Sequence, residues 1–144
     1  MQAYTIGITG GSGIGKSLLS NSLLSFIGES QALVLSTDDL HLWPRGHEKW
    51  AEITHLNPKA NDLAKGVKHL SSLKSGISIQ RRVYNHSTGK HDKPVRIDPK
   101  RFIIHEGLHA FYGKKLSSLC DLKIFIETTD SLKRHWKIMR DTKK

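Results

Sequence analysis

Residues 10–17 read Gly10-Gly11-Ser12-Gly13-Ile14-Gly15-Lys16-Ser17, a full match to the spacing G-x-x-x-x-G-K-[ST]. Glycines at this density let successive backbone N–H groups turn toward one point. The helix that follows would aim its positive end at the same point. All eight residues are therefore candidates to cradle the phosphates of a nucleotide. Lys16 would reach the β- and γ-phosphates, and the Ser17 hydroxyl would ligate Mg²⁺. A glycine-rich turn that merely starts a helix is the plainer reading. The flanks decide against it, because an apolar run precedes the motif and an apolar helical stripe follows it.

Two acids stand where a phosphate site needs them. Phe102-Ile103-Ile104-His105-Glu106 is an apolar strand ending in a carboxylate, the position that holds Mg²⁺ or its water shell beside a phosphate loop. Asp38-Asp39 follow a second apolar strand, at the carboxyl end where ligands bind in open α/β sheets. Asp38 there could take the proton from an acceptor hydroxyl during attack on a γ-phosphate. Arg134, Lys137 and Asp141 fall at i, i+3 and i+7 with Arg140 beside them. This is a solvated basic face or a cluster that stabilises charge on a transferred group. His105-Glu106-Gly107-Leu108-His109 also matches H-E-x-x-H. Zinc chemistry would need both histidines on one sustained helix, whereas a β-type run feeds His105 and Gly107 weakens any helix, so the match is read as chance.

The elements that must carry these groups alternate. Residues 4–8 form a strand, Ser17–Ile27 a helix with Leu18, Leu19, Leu23, Leu24 and Ile27 as its stripe, and Gln31–Ser36 a strand. Thr37–Asn57 is a long irregular stretch, of the kind usually functional in a compact domain. Asn57-Pro58 reads as the start of a helix carrying Ala60, Leu63, Ala64, Val67 and Leu70 and ended by Gly76. Ile77–Tyr84 and Lys93–Ile97 are expected as strands around a polar turn. Further strands are expected at Arg101–His105 and Leu122–Ile126, with a short helical segment near Ala110–Leu119. Asp130 is expected to cap a last helix whose Leu132, Trp136 and Met139 face inward. The class is α/β with a mainly parallel sheet in one domain, residues 1–144.

Composition narrows the partners. The chain has 144 residues and a formal charge of +10, from 23 Lys+Arg against 13 Asp+Glu. At 37% hydrophobic and 25% charged it is ordinary globular material rather than a disordered tail. No apolar run approaches the ~20 residues of a membrane span, and the N-terminus shows no secretory signal pattern. Its single cysteine, Cys120, cannot form an internal disulfide and suits a reducing cytoplasm. The basic residues are spread along the chain with no nucleic-acid motif, so a small anionic partner is expected instead.

The sequence resembles the phosphoribulokinase/uridine kinase family through nearly its whole length. Beyond the phosphate loop, the resemblance rests on Ser36-Thr-Asp38-Asp39-Leu-His41, Leu56-Asn-Pro-Lys-Ala-Asn-Asp62, Tyr84-Asn-His86-Ser-Thr-Gly89, His105-Glu106-Gly107-Leu108-His109 and Trp136-Lys137-Ile-Met-Arg140-Asp141. The Pro-Lys-Ala-Asn-Asp, Tyr-Asn-His-x-Thr-Gly and Glu-Gly-Leu-His pieces are more similar to the phosphoribulokinase branch. Uridine kinases typically read His-Pro-Asp-Ala-Phe-Asp at residues 57–62, where this chain has Lys59 in place of an aspartate. The resemblance implies a three-layer P-loop kinase fold and an ATP- and Mg²⁺-dependent transfer of the γ-phosphate to a hydroxyl of a ribulose 5-phosphate-like sugar. A uridine or cytidine kinase, or a lid-less nucleotide-binding module with little activity, is the alternative.

By the same resemblance Asp38 is the catalytic base and Glu106 the acid near Mg²⁺. His41 and Arg45 hold the sugar phosphate, Tyr84 and His86 fall in an acceptor-site motif, and Lys137, Arg140 and Asp141 form a basic–acidic cluster that completes the catalytic set with Lys16. The plant-type enzymes carry a cysteine in the phosphate loop, but Ile14 stands here, so thiol–disulfide switching is not expected. Family members continue past Arg140-Asp141 into an arginine-bearing lid and another strand. The implied fold therefore lacks its C-terminal lid and last strand at Lys144. Oligomeric state stays open, a homodimer being one option.

Overall fold

The computed structural model of the protein describes residues 2–143. Strand β1 (Tyr4–Gly10) leads through the glycine loop into helix α1 (Lys16–Ile27), and β2 (Ala32–Ser36) follows. Helix α2 (Leu63–Lys74) comes after two short 3₁₀ turns in the 37–57 stretch, at Thr37–Leu40 and Glu48–Ala51, and a third at Pro58–Ala60. Then come β3 (Ile79–Arg81), β4 (Tyr84–Asn85), β5 (Lys90–His91), β6 (Val95–Ile97), β7 (Phe102–Glu106), α3 (Gly113–Leu119), β8 (Leu122–Ile126) and α4 (Asp130–Asp141).

The central sheet has the order β2-β7-β1-β8 and every pairing in it is parallel. Parallel strands are covered on both faces, and side-chain alternation sorts the residues between them. Leu35 and Ile103 pack with Leu70 and Leu73 of α2 and Leu116 of α3. Ile6, Ile8 and Ile104 pack on the opposite face against Leu19, Leu23, Leu24 and Ile27 of α1. Neighbouring Ile103 and Ile104 thus belong to two different cores, which gives the expected three layers. Lys74 pairs with Asp121 and also donates to the Ala3 carbonyl, tying α2 to the start of β1 and of β8.

Several local expectations are corrected. The run 77–84 is not one strand: β3 pairs antiparallel with β6, while β4 pairs with β5 and starts a separate ribbon. Asn57 caps only the turn at Pro58–Ala60, and the side chain of Asp62 caps α2 by accepting from Lys65 N at 3.0 Å. Asp130 is the first helical residue of α4 rather than its cap, because extended Thr129 occupies that position. Its carboxylate still complements the helix dipole and pairs with Lys133. Leu132, Trp136 and Met139 are not inward-facing but 38–46% exposed. The apolar stripe exists, yet α4 follows the edge strand β8 and no described element packs over it. No helix among the described residues is long and apolar enough to cross a membrane.

Candidate active site

The register of the sheet brings three strand ends together. Ile8 and Ser36 both stand level with Glu106, so the glycine loop, the 37–40 turn and Glu106 open on one edge. Above them lies a cavity of about 680 Å³ lined by residues 12–18, Asp38, His41, Arg45, Trp50, residues 54–56, His86, residues 106–109, Lys137 and Arg140.

The loop fits a phosphate. Gly15 sits just before α1 with φ 101°, a left-handed conformation that a side chain resists. No side chain caps the helix, so its first N–H groups are left for an anion. Lys16 Nζ donates to the Gly11 carbonyl at 2.8 Å, folding the amine back over the loop. Burial lowers the Lys16 pKa, and Arg140 adds to this, while Glu106 and Asp38 oppose it. Arg140 belongs to α4 yet reaches the loop, since a Cβ on Gly13 would stand 3.4 Å from its Nη1.

The two acids differ. Burial raises the Glu106 pKa and the neighbouring charges of Asp38 and Asp39 add to it, against a hydrogen bond with Ser36 and the charge of Lys16. For Asp38 burial pushes upward as well, but the hydrogen bond from His86 and the nearby His41, His86 and Lys16 outweigh it. Its carboxyl lies below the ordinary range. His86 Nε2 lies 3.2 Å from Asp38 Oδ2. Ser17, Glu106 and Asp38 offer hard oxygen donors beside the loop. Among the described residues no three acidic, histidine or cysteine side chains form a metal cage. Magnesium at a phosphate typically takes one or two carboxylates and keeps water, so this donor set fits it.

Asp38 is held by groups the sequence did not single out. Asp39 accepts from Arg81 Nε at 2.9 Å and from the Tyr84 amide at 2.8 Å. Arg81, 2% exposed, also donates to the Ser36 carbonyl and to His69 Nδ1. It therefore clamps the last residue of β2 and the residue after Asp38. Gly107 permits the other side of this junction. It has φ 142°, and a Cβ there would overlap the Thr37 hydroxyl. Arg81 shares with Ile79 the inward face of β3, a three-residue strand too short to mark that charge as buried in the sequence.

Of the anticipated acceptor residues, His41, Arg45 and His86 line the cavity, as do Lys137 and Arg140. Arg45 is tied to the β4–β5 turn through the His86 and Gly89 carbonyls. Tyr84 is 5% exposed and outside the lining, with His41, His55, His86 and His91 packed edge-on around it. Asp141 is also outside the lining and pairs with Arg140 at 3.0 Å. His105 lies on β7, fully buried and bonded to the Leu35 carbonyl, so it shares no helix with His109.

Residues 5–144 match the Phosphoribulokinase / Uridine kinase family. The chain is 37% identical to a phosphoribulokinase from Synechocystis sp. over 136 residues, 94% of this chain and 41% of that protein. It is 33% identical to a uridine kinase from Bacillus pumilus over 143 residues, 96% of this chain and 67% of that one. The structure of phosphoribulokinase from Rhodobacter spheroides superposes with a TM-score of 0.77 at 20% identity, over 99% of this chain and 57% of that one. The chain thus spans about two fifths of the length of the phosphoribulokinase it matches best among these. With a phosphate loop, two strand-end acids and the three-layer parallel sheet all in the positions described, the chain belongs to the phosphoribulokinase/uridine kinase family.

Proposed function

We propose that the chain is a kinase that binds ATP with Mg²⁺ and transfers the γ-phosphoryl group to a hydroxyl of a phosphorylated sugar, ribulose 5-phosphate being the leading acceptor. The observation that carries this reading is the shared cavity. Lys16, Asp38 and Glu106 face the same space as Arg45, His86, Lys137 and Arg140. A neutral acceptor would not need that many cations, whereas a phosphate ester does. Lys59, in the position where uridine kinases carry an aspartate, is exposed and outside the lining.

The loop N–H groups and Lys16 would hold the β- and γ-phosphates, and Ser17 and Glu106 would hold Mg²⁺, which when bound neutralises phosphate charge. Asp38 accepts the acceptor's hydroxyl proton as that oxygen bonds to the γ-phosphorus and the bond to the β-phosphate oxygen breaks. His86 keeps Asp38 ionised and orients it. Lys137 and Arg140 approach from α4 and offset charge on the transferred group. Water exclusion falls to the Trp50 and Leu56 wall of the cavity.

The test is ADP release measured over a panel of pentose phosphates and nucleosides. Turnover of ribulose 5-phosphate exceeding that of uridine and cytidine is expected. Turnover of nucleosides alone would replace the acceptor, and ATP binding without transfer to any acceptor would make the chain a nucleotide-binding module.

A further inference from the structure

The acceptor half of the cavity contains two stacked histidines whose hydrogen bonds set their tautomers. Asn61 Nδ2 donates to the His55 carbonyl at 3.1 Å and to the Asn57 carbonyl at 3.0 Å. Carbonyls only accept, so the amide has one orientation and its Oδ1 faces His41 Nδ1 at 2.7 Å. His41 Nδ1 must then carry the proton. His55 Nε2 lies 3.3 Å from the Trp43 carbonyl and must carry its own. A neutral imidazole has one N–H, and in both rings it is spent on the protein. Among the described residues no hydrogen bond reaches His41 Nε2 or His55 Nδ1, which are left as bare acceptors in residues that both line the cavity.

The surroundings keep both rings neutral. Their centroids are 3.3 Å apart at 28°, so two imidazolium charges would lie face to face. Trp50 and Tyr84 meet His55 edge-on at 4.4 and 5.6 Å, and Tyr84 meets His41 at 4.7 Å, which displaces water from the pair. Burial lowers the His41 pKa to about 4, with His55 and His91 adding to it against Asn61 and Asp38. For His55 burial again lowers it, with Arg45 and His91 adding, against the Trp43 carbonyl and Asp38. A neutral ring with a bare nitrogen repels a phosphate oxygen but accepts from a hydroxyl.

We propose that His41 and His55 form a hydroxyl-reading subsite, each offering an unprotonated nitrogen to a hydroxyl of the acceptor. Phosphate recognition belongs to Arg45 and the α4 cations rather than to His41. This rests on the acceptor reading above and specifies it: the substrate is a polyhydroxylated phosphate ester, and the histidines select for the hydroxyls. Deoxygenated analogues are discriminated against because, once bound, they cover the acceptor nitrogen without donating to it.

The test uses the full chain labelled with ¹⁵N, its histidine rings read by long-range ¹H–¹⁵N correlation between about pH 6 and 8. His41→Gln and His55→Gln spectra assign the signals. The expected result is His41 protonated on Nδ1 alone and His55 on Nε2 alone. Saturating D-ribulose 5-phosphate should shift the bare nitrogens without protonating them, and sulfate, an anion with no O–H to donate, should leave them unmoved. An imidazolium, the opposite tautomer at His41, or bare-nitrogen signals unmoved by the sugar phosphate would each overturn the subsite. In inhibition assays, His41→Gln should leave the inhibition constant of inorganic phosphate within about twofold, whereas Arg45→Ala should raise it roughly tenfold or more. A parallel rise in both variants would return His41 to phosphate binding. The spectra need no turnover, so the subsite is decided even if ADP release shows that no phosphoryl transfer occurs.

Discussion

At the scale of single residues, the site separates groups by the work that environment allows them. Asp38 and Glu106 are both strand-end acids beside Lys16, yet one is held below its ordinary pKa and the other above. A base needs to be ionised before the acceptor arrives; burial works against that at Glu106, whereas the hydrogen bond from His86 and the nearby cations favour it at Asp38. Asp38→Asn should lower kcat by about 10²–10⁴-fold with ATP affinity retained, as read by steady-state kinetics and nucleotide titration. Because its carboxyl is already deprotonated, no loss of kcat through Asp38 is expected as pH falls from about 8 to 5. His86→Ala removes the hydrogen bond that opposes burial at Asp38, so the acid limb of the kcat profile should move to higher pH. An unmoved limb would assign the base role elsewhere.

At the scale of elements, the junction of β2, β3 and β7 is what holds Asp38 in place. Arg81 reaches from β3 to the Ser36 carbonyl and the Asp39 carboxylate, and Gly107 lets β7 close against Thr37. Arg81→Met would strand a buried carboxylate and should destabilise the fold by about 3–5 kcal/mol in urea unfolding. Gly107→Ala combines a positive φ with a steric overlap and should cost about 1–3 kcal/mol. Neither residue was legible as functional in the sequence. Arg81 occupies an inward position of a strand too short to show alternation, and its partners Asp39 and Ser36 lie 42 and 45 residues away, with His69 at 12. The glycine loop, by contrast, was fully legible because all eight residues are contiguous and its mechanism is a backbone one. Helix α4 shows the limit of periodicity: Leu132, Trp136 and Met139 form a true apolar stripe, but a stripe does not say what covers it. The 37–57 stretch was legible only as irregular. Its 3₁₀ turns and histidine stacking depend on Asn61 and Tyr84, which lie outside it in the chain.

At the scale of the whole molecule, charge and burial act together. Lys16, Arg45, Lys137 and Arg140 bring cations to the cavity where strand ends meet, while Lys74 is buried and paired with Asp121. Two histidines in the interior carry a further consequence. His69 accepts from buried Arg81 and His105 lies wholly inside the sheet, and burial first, then Arg81, lowers both to about 4. The unfolded chain protonates them near the ordinary value of about 6.5. Their contribution to stability is therefore complete above about pH 6.5 and is lost as pH falls toward 4. Urea midpoints should decline across that window, and His69→Gln, which keeps an acceptor for Arg81, should flatten the decline. Phosphoryl transfer to a phosphorylated sugar with Asp38 as base is tested most directly by transfer of label from [γ-³²P]ATP to D-ribulose 5-phosphate. Labelled sugar bisphosphate from the native chain and almost none from Asp38→Asn is the predicted result; equal labelling by both, or labelling of uridine alone, would contradict it.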